Sequence, residues 1–222
     1  VKSSTAPVTP NIYGYTLSCN DASGTAIAQA ELFDGVSPPV ATDCGVKDGS
    51  GNALPTTAIL APAATTSTSV TGLCLSCSVA QPQNVIDQDP TNYAVMTNTV
   101  GLLGAQTQLS VVNNSSFPAG RVAGVILGDS SDTLLTLVLL QNVSIDTLLG
   151  GVVQETAVAN VNNTGVLSPL LQLNLLNLVG NPSAVFASLT STKPFDGLRV
   201  NNGGLVSVLG TLDVYQACVS TK

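Results

Sequence analysis

The sequence predicts an all-β protein folded as an antiparallel β-sandwich, with a small β or extended region at its N-terminal end. Three observations predict it. Hydrophobic residues make up 44% of 222, enough for a packed core. Short runs rich in Val, Leu, Thr and Tyr recur along the chain. Glycine and asparagine stand between them, as in Gly128-Asp129, Gly150-Gly151, Asn162-Asn163, Gly180-Asn181 and Asn201-Asn202-Gly203-Gly204. Many short antiparallel strands must bury one face against a second sheet, which is a sandwich.

Residues 1–76 differ from the rest. They are rich in Ala, Thr, Ser, Pro and Gly, and strand-like runs at 13–17, 26–32, 57–60 and 69–73 are punctuated by Pro38-Pro39 and Pro62. This part reads as a small disulfide-tied β region or an extended arm. Tyr13 and Tyr15 sit at alternate positions, so both rings face one side of a strand. They are candidates to anchor in a partner subunit or to pack on their own region.

Residues 77–222 read as one compact β domain. Strand candidates fall at 94–97, 106–112, 121–127, 134–140, 144–148, 152–157, 170–175, 184–189, 197–200, 205–209 and 211–217. Alternation is clearest in Thr133-Leu134-Leu135-Thr136-Leu137 and Thr211-Leu212-Asp213-Val214-Tyr215. The Leu-rich 170–178 stretch has helix propensity, but its Gly, Pro and Asn borders favour a strand.

Charge narrows the function classes. Only 9% of residues are charged and the net charge is -7. The six basic residues, Lys2, Lys47, Arg121, Lys193, Arg199 and Lys222, are scattered, so no basic stripe exists for nucleic acid or anionic lipid. No apolar run approaches the ~18 residues of a membrane helix, and no signal-like segment opens the chain. Sparse Lys and Glu also leave strand edges with little protection, which suits strand addition from a neighbour.

Catalysis has little to work with. The chain has no His for general base work and no Gly-x-Ser-x-Gly elbow. Asp129, Asp132, Asp146, Glu155, Asp196 and Asp213 are spaced like turn and exposed-strand residues. Five cysteines without histidine argue for disulfides in an oxidising, extracellular setting, because Cys74-Leu75-Ser76-Cys77 lacks a second pair to complete a zinc site. The odd count leaves one thiol over.

The segment 84–94, Asn-Val-Ile-Asp-Gln-Asp-Pro-Thr-Asn-Tyr-Ala, resembles the early loop of discoidin-like (galactose-binding-like, F5/8 type C) domains. Asp87 stands at the loop's aspartate and Tyr93 at its aromatic position, while Gln88 and Asp89 depart from the Gly-Asn of the pattern. Leu212-Asp213-Val214-Tyr215 is similar to that superfamily's last strand. Lys193-Pro194-Phe195-Asp196-Gly197-Leu198-Arg199-Val200 resembles modules of secreted bacterial surface and biofilm proteins. The resemblance covers 77–222 and implies a jelly-roll sandwich, surface display, and adhesion or glycan contact.

It also implies a structural calcium held by Asp87, Asp89, Thr91 and Asn92, since calcium takes six to eight hard oxygens. The competing reading is an Asx turn in which the Asp side chains cap local N–H groups. By the same resemblance Cys77 and Cys218 bridge the domain's ends. Cys19–Cys44 then reads as a staple of the N-terminal region, and Cys74 is left over, a buried free thiol or an intermolecular link. Cys74 can equally replace Cys77 in the long bridge.

Two functions follow as expectations. The first is a non-enzymatic extracellular structural or adhesive module, a self-associating subunit of a surface or matrix fibre joined through its N-terminal arm. The second is a lectin-like carbohydrate-binding module, its site on the loops near 87–93 and 201–204.

Overall fold

The computed structural model describes residues 15–20, 26–32, 43–46, 52–128, 140, 142–158, 172–175, 184–203 and 210–221. The chain divides into two compact units, Val1–Ala41 and Thr42–Lys222. In the first, β1 (Tyr15–Asn20) and β2 (Ala26–Leu32) pair antiparallel. The division expected at 76/77 is therefore corrected to 41/42. The reason is hydrogen bonding: residues 56–80 supply two strands of the second unit's sheet.

That unit contains β3 (Thr56–Ala58), β4 (Ala64–Ala80), β5 (Ala94–Phe117), β6 (Val122–Gly128), β7 (Val143–Leu149), β8 (Val152–Val158), β9 (Gln172–Leu175), β10 (Val185–Thr190), β11 (Phe195–Gly203) and β12 (Gly210–Ser220). They form one antiparallel path, β8-β7-β11-β5-β12-β6-β10-β9, with β4 on β5 and β3 on β12. The path folds over along β5. Its first residues pair β12, Ala94 opposite Val214, and its later residues pair β11, Leu109 opposite Val200. Two layers result, as the turn-punctuated sequence predicts.

Side chains of both layers meet in one core. Leu109, Val111, Ile145, Leu198 and Val200 come from the β5–β11–β7 layer, and Val125, Leu127, Ala187, Leu212 and Val214 from the β6–β10–β12 layer. Alternation along β5 produces this: Ala105, Thr107, Leu109 and Val111 are buried while Gln106, Gln108 and Ser110 point outward. In β12 the register shifts between Val214 and Ala217. The extra residue returns Ala217 and Val219 to the core face and turns Tyr215 and Cys218 into a second cluster with Cys44, Val46 and Phe186.

Turn chemistry places the hairpins. Gly150 and Gly151 have φ of 57° and 79°, the left-handed pair that joins β7 to β8 in two residues. Gly124 serves close packing: a Cβ there would lie 2.3 Å from the Ala187 carbonyl oxygen. The expected runs 94–97 and 106–112 are one strand of 24 residues, and 69–73 is the middle of a 17-residue strand. The residues between the two runs continue the ladder, Gly101 pairing with Cys74. Expected strands at 205–209 and over most of 134–140 lie outside the described residues.

The disulfides correct the expected pairing. Cys44 bonds Cys218 and Cys74 bonds Cys77, with Cα atoms 6.5 Å and 5.8 Å apart. Cys77 cannot reach Cys218. It lies opposite Asn98, which lies opposite Gly210, and Cys218 is at the far end of β12, roughly 25 Å away at ~3.3 Å per residue. With Cys44 so engaged, the Cys19–Cys44 staple is excluded, and Cys74 is not a free thiol. Cys19 lies opposite Ala28 in the first unit.

Candidate functional site

On the outward face of the β4–β5–β11–β7–β8 layer the register lines up a row of polar side chains. Ser69 lies opposite Gln108, Gln108 opposite Asn201, and Asn201 opposite Ser144. One step along, Arg199 lies opposite Asp146 and Asp146 opposite Thr156. Directly paired residues share a face, so five strands contribute to one surface.

Hydrogen bonds lock the row. Ser69 Oγ donates to Gln108 Oε1 at 2.7 Å, and Gln108 Nε2 donates to Asn201 Oδ1 at 2.9 Å. Asn201 Nδ2 donates to Ser144 Oγ at 3.1 Å and to Asp146 Oδ2 at 2.9 Å. Arg199 donates to the same Oδ2 from Nε at 2.9 Å and from the Nη2 amino group at 2.6 Å. Thr156 Oγ1 donates to Asp146 Oδ1 at 2.6 Å. Asp146 is 3% exposed and Asn201 5%. The Arg199 side chain keeps 25% of its surface in solvent.

The chemistry of this arrangement is orientation. Both Asp146 oxygens are committed to donors, so the carboxylate fixes its neighbours and is not a poised base. Arg199, Gln108, Ser69 and Thr156 retain solvent-facing surface and present guanidinium, amide and hydroxyl groups in set directions. Sequence reasoning treated Asp146 and Asp213 as solvent-facing acids. Both are buried, Asp213 completely. Only the pairing of β7 with β11 reveals the ion pair, and pairing across 53 residues leaves no local signal.

Glu155 and Asp196 act as clamps. Glu155 accepts from the Thr192 N–H and hydroxyl, the latter at 2.7 Å, and Asp196 Oδ2 accepts from the Gly150 N–H at 2.7 Å. Glu155 ties β8 to the turn between β10 and β11, and Asp196 ties the start of β11 to the β7–β8 hairpin.

The loop Asp87–Tyr93 closes on itself. Asp87 Oδ1 accepts from the Asp89 N–H at 2.9 Å, and Asp87 Oδ2 from Asn92 Nδ2 at 2.8 Å. Asp89 Oδ1 accepts from the Thr91 hydroxyl at 2.6 Å and the Thr91 N–H at 2.9 Å. The hydroxyl first, then the N–H, hold the Asp89 carboxyl below its ordinary range. This is the Asx-turn alternative. As a calcium cradle the set does not fit. Asn92 Oδ1 is a buried oxygen without a donor, but three of the four carboxylate oxygens are engaged by the loop's own donors. Six to eight free oxygens are needed.

The two loops of the lectin expectation are not brought together. Asp87–Tyr93 precedes Ala94, whereas Asn202 meets β5 at Asn98, roughly 15 Å further along the strand. Gly204 lies outside the described residues. Tyr93 and Tyr215 pack against each other with centroids 5.1 Å apart, as core packing predicts. Of the arm tyrosines, Tyr13 lies outside the described residues and Tyr15 opens β1.

Inside the sandwich, near the fold-over of β5, lie three buried polar side chains that no motif announces. Asn98 Nδ2 donates to the Asn202 carbonyl at 2.6 Å. Asn98 Oδ1, Thr107 Oγ1 and Asn202 Nδ2 have no partner.

No family model matches the chain, and no curated protein does. Solved structures do. The family 32 CBM of Clostridium perfringens NanJ in complex with galactose aligns at 13% identity and a TM-score of 0.39, covering 74% of this chain and 98% of that one. CBM32-3 from a family 31 glycoside hydrolase of Clostridium perfringens aligns at 11% and 0.38, covering 74% and 95%.

Proposed function

We propose that this chain is an extracellular, non-catalytic module that binds carbohydrate on the outward β4–β5–β11–β7–β8 face. The locked polar row is the observation that carries the proposal. A sugar hydroxyl both donates and accepts, so its recognition calls for amide, guanidinium and hydroxyl groups held in fixed directions. Here Asp146 and Asn201 do the holding, and Gln108 and Arg199 keep surface for a ligand. Groups ordered before binding lose little entropy on binding. The described part of the row holds no aromatic ring, so the expected ligand is an extended polysaccharide touched at several hydroxyls, with weak affinity for single sugars.

Galactose is the ligand of the NanJ module; for this chain the sugar is open. An extracellular setting is supported by the buried Cys44–Cys218 disulfide. Among the described residues no helix is long and apolar enough to cross a membrane. A fibre joined through the N-terminal arm gains no support from the described residues.

The test is amide chemical-shift mapping of the protein against a panel of soluble polysaccharides. The expected result is shifts confined to 67–69, 106–110, 144–146, 154–156 and 197–203, and a loss of affinity of about tenfold in Gln108→Ala, the worth of one good polar contact. Shifts centred on the 87–93 loop would move the site there. No shifts with any glycan would end the carbohydrate reading.

A further inference from the structure

The strand at the outer limit of the same layer has an unusual exposure. β4 pairs with β5 along its whole length and, among the described residues, with no strand on its other side. Every residue from Ser67 to Leu73 is exposed, so both faces of the strand meet solvent there as well. Val70 and Thr68 lie opposite the core-facing Thr107 and Leu109, yet both are exposed, Val70 by 46%. Leu73 is 73% exposed.

Open edges of this length are normally blunted by Lys, Pro or inward charge. β4 has none: its sequence is Ala-Thr-Thr-Ser-Thr-Ser-Val-Thr-Gly-Leu-Cys-Leu-Ser-Cys-Ser-Val-Ala. The chain carries 13 acidic and 6 basic residues, yet none falls on β4 or β5. The ribbon is thus a surface on which two molecules of net charge -7 can meet without opposing charges at the contact.

We propose that the β4 edge is the contact for a second copy of this chain, the two β4 strands pairing antiparallel about a two-fold axis within Ser67–Thr71. Three features select a second copy over another partner. An antiparallel pair about a two-fold axis is self-complementary, so one edge satisfies the other and the assembly closes at two. The contact is neutral, which removes the repulsion that the rest of the surface imposes. The same pairing brings the uncovered Val70 of each copy beside the other strand, where β-branched cross-strand pairs are favourable. Gly72, with φ of 74°, bends β4 and limits the straight pairing segment to the residues before it.

Strand pairing of this length buries less than the ~1,000 Å² of a tight interface. The dimer is therefore concentration-dependent. Sedimentation equilibrium of the full chain over a broad concentration series, reaching roughly millimolar, reads it. Val70→Lys and Thr68→Lys place like charges across the two-fold axis at exposed positions, and circular dichroism checks that each variant folds. The expected result is a wild-type monomer–dimer equilibrium weakened at least about tenfold in both variants. A wild type that stays monomeric throughout overturns the proposal. So does a dimer, or any larger assembly, that persists unchanged in both folded variants. Glycan binding by a monomer would leave the proposed function standing, so the two readings fail separately.

Discussion

Asp146→Ala tests whether the polar row is locked as its geometry indicates. The wild-type carboxylate accepts from Arg199 Nε and Nη2, Thr156 Oγ1 and Asn201 Nδ2. Its removal does not strand all four donors equally. Thr156 is exposed and regains water, and Arg199, with 25% of its side chain in solvent, resolvates in part. Asn201 keeps Ser144 as a partner. Breaking a fully buried pair costs ~3–5 kcal/mol and an exposed pair ~0–1. This half-screened pair falls between, at about 2–3 kcal/mol. For a unit of this size that lowers Tm by roughly 5–10 °C. Urea unfolding followed by circular dichroism measures it as a shift of midpoint at unchanged m. Asp146→Asn, which keeps the shape and one acceptor, loses about half as much. The double variant Asp146→Leu/Arg199→Met recovers most of the loss, because no charge is then left unpaired. A loss below ~0.5 kcal/mol for Asp146→Ala, a typical surface value, would refute the reasoning and remove the observation on which carbohydrate binding rests.

Four further outcomes are expected. Asp89 titrates below the ordinary carboxylate range, and Thr91→Val moves it upward in a carbon-detected NMR titration; since its folded value is depressed, its contribution to stability is present above the unfolded value and is lost as pH falls through the folded one. Millimolar calcium or a chelator leaves the melting temperature unchanged, because binding must displace the donors from Thr91, Asn92 and Asp89; a calcium-dependent rise would restore the metal site. Thr107→Val, which removes a buried hydroxyl without a partner, raises stability by about 1 kcal/mol in urea titrations; a loss of that size would mean the hydroxyl has an ordered water partner. Cys44→Ser/Cys218→Ser costs up to about 5 kcal/mol by loop-closure entropy over a separation of 174 residues, and an unchanged midpoint would contradict that account.

The sandwich was legible because its signals are local. Alternation in 211–215 and paired glycines at 150–151 report on neighbouring residues, and β12 and the β7–β8 hairpin follow from them. The runs 94–97 and 106–112 read as separate strands, yet β5 continues from one into the other. The division at 76/77 failed for a related reason: composition changes along the chain, but β4 belongs with β5 by ladder hydrogen bonds. Asp146 illustrates the remaining gap. An acid in a strand reads as solvent-facing until a basic residue is known to lie opposite. Arg199 takes that place only through the register of β11 on β7. The Cys44–Cys218 bond was hidden likewise, since the bulge in β12 decides which way Cys218 points.

That bond also sets how the sandwich responds to load. A pull applied on the N-terminal side of Cys44 and the C-terminal side of Cys218 runs through one covalent link, and the 174-residue span between them carries no tension. While the link is oxidised the strands cannot be drawn out from the ends, and the unit behaves in a stretched chain as an inextensible ring. Reduction turns the same segment into a long reserve of slack. A molecule displayed in a flow or anchored at both sides would thus keep its polar face folded under forces that peel open an unlinked sheet.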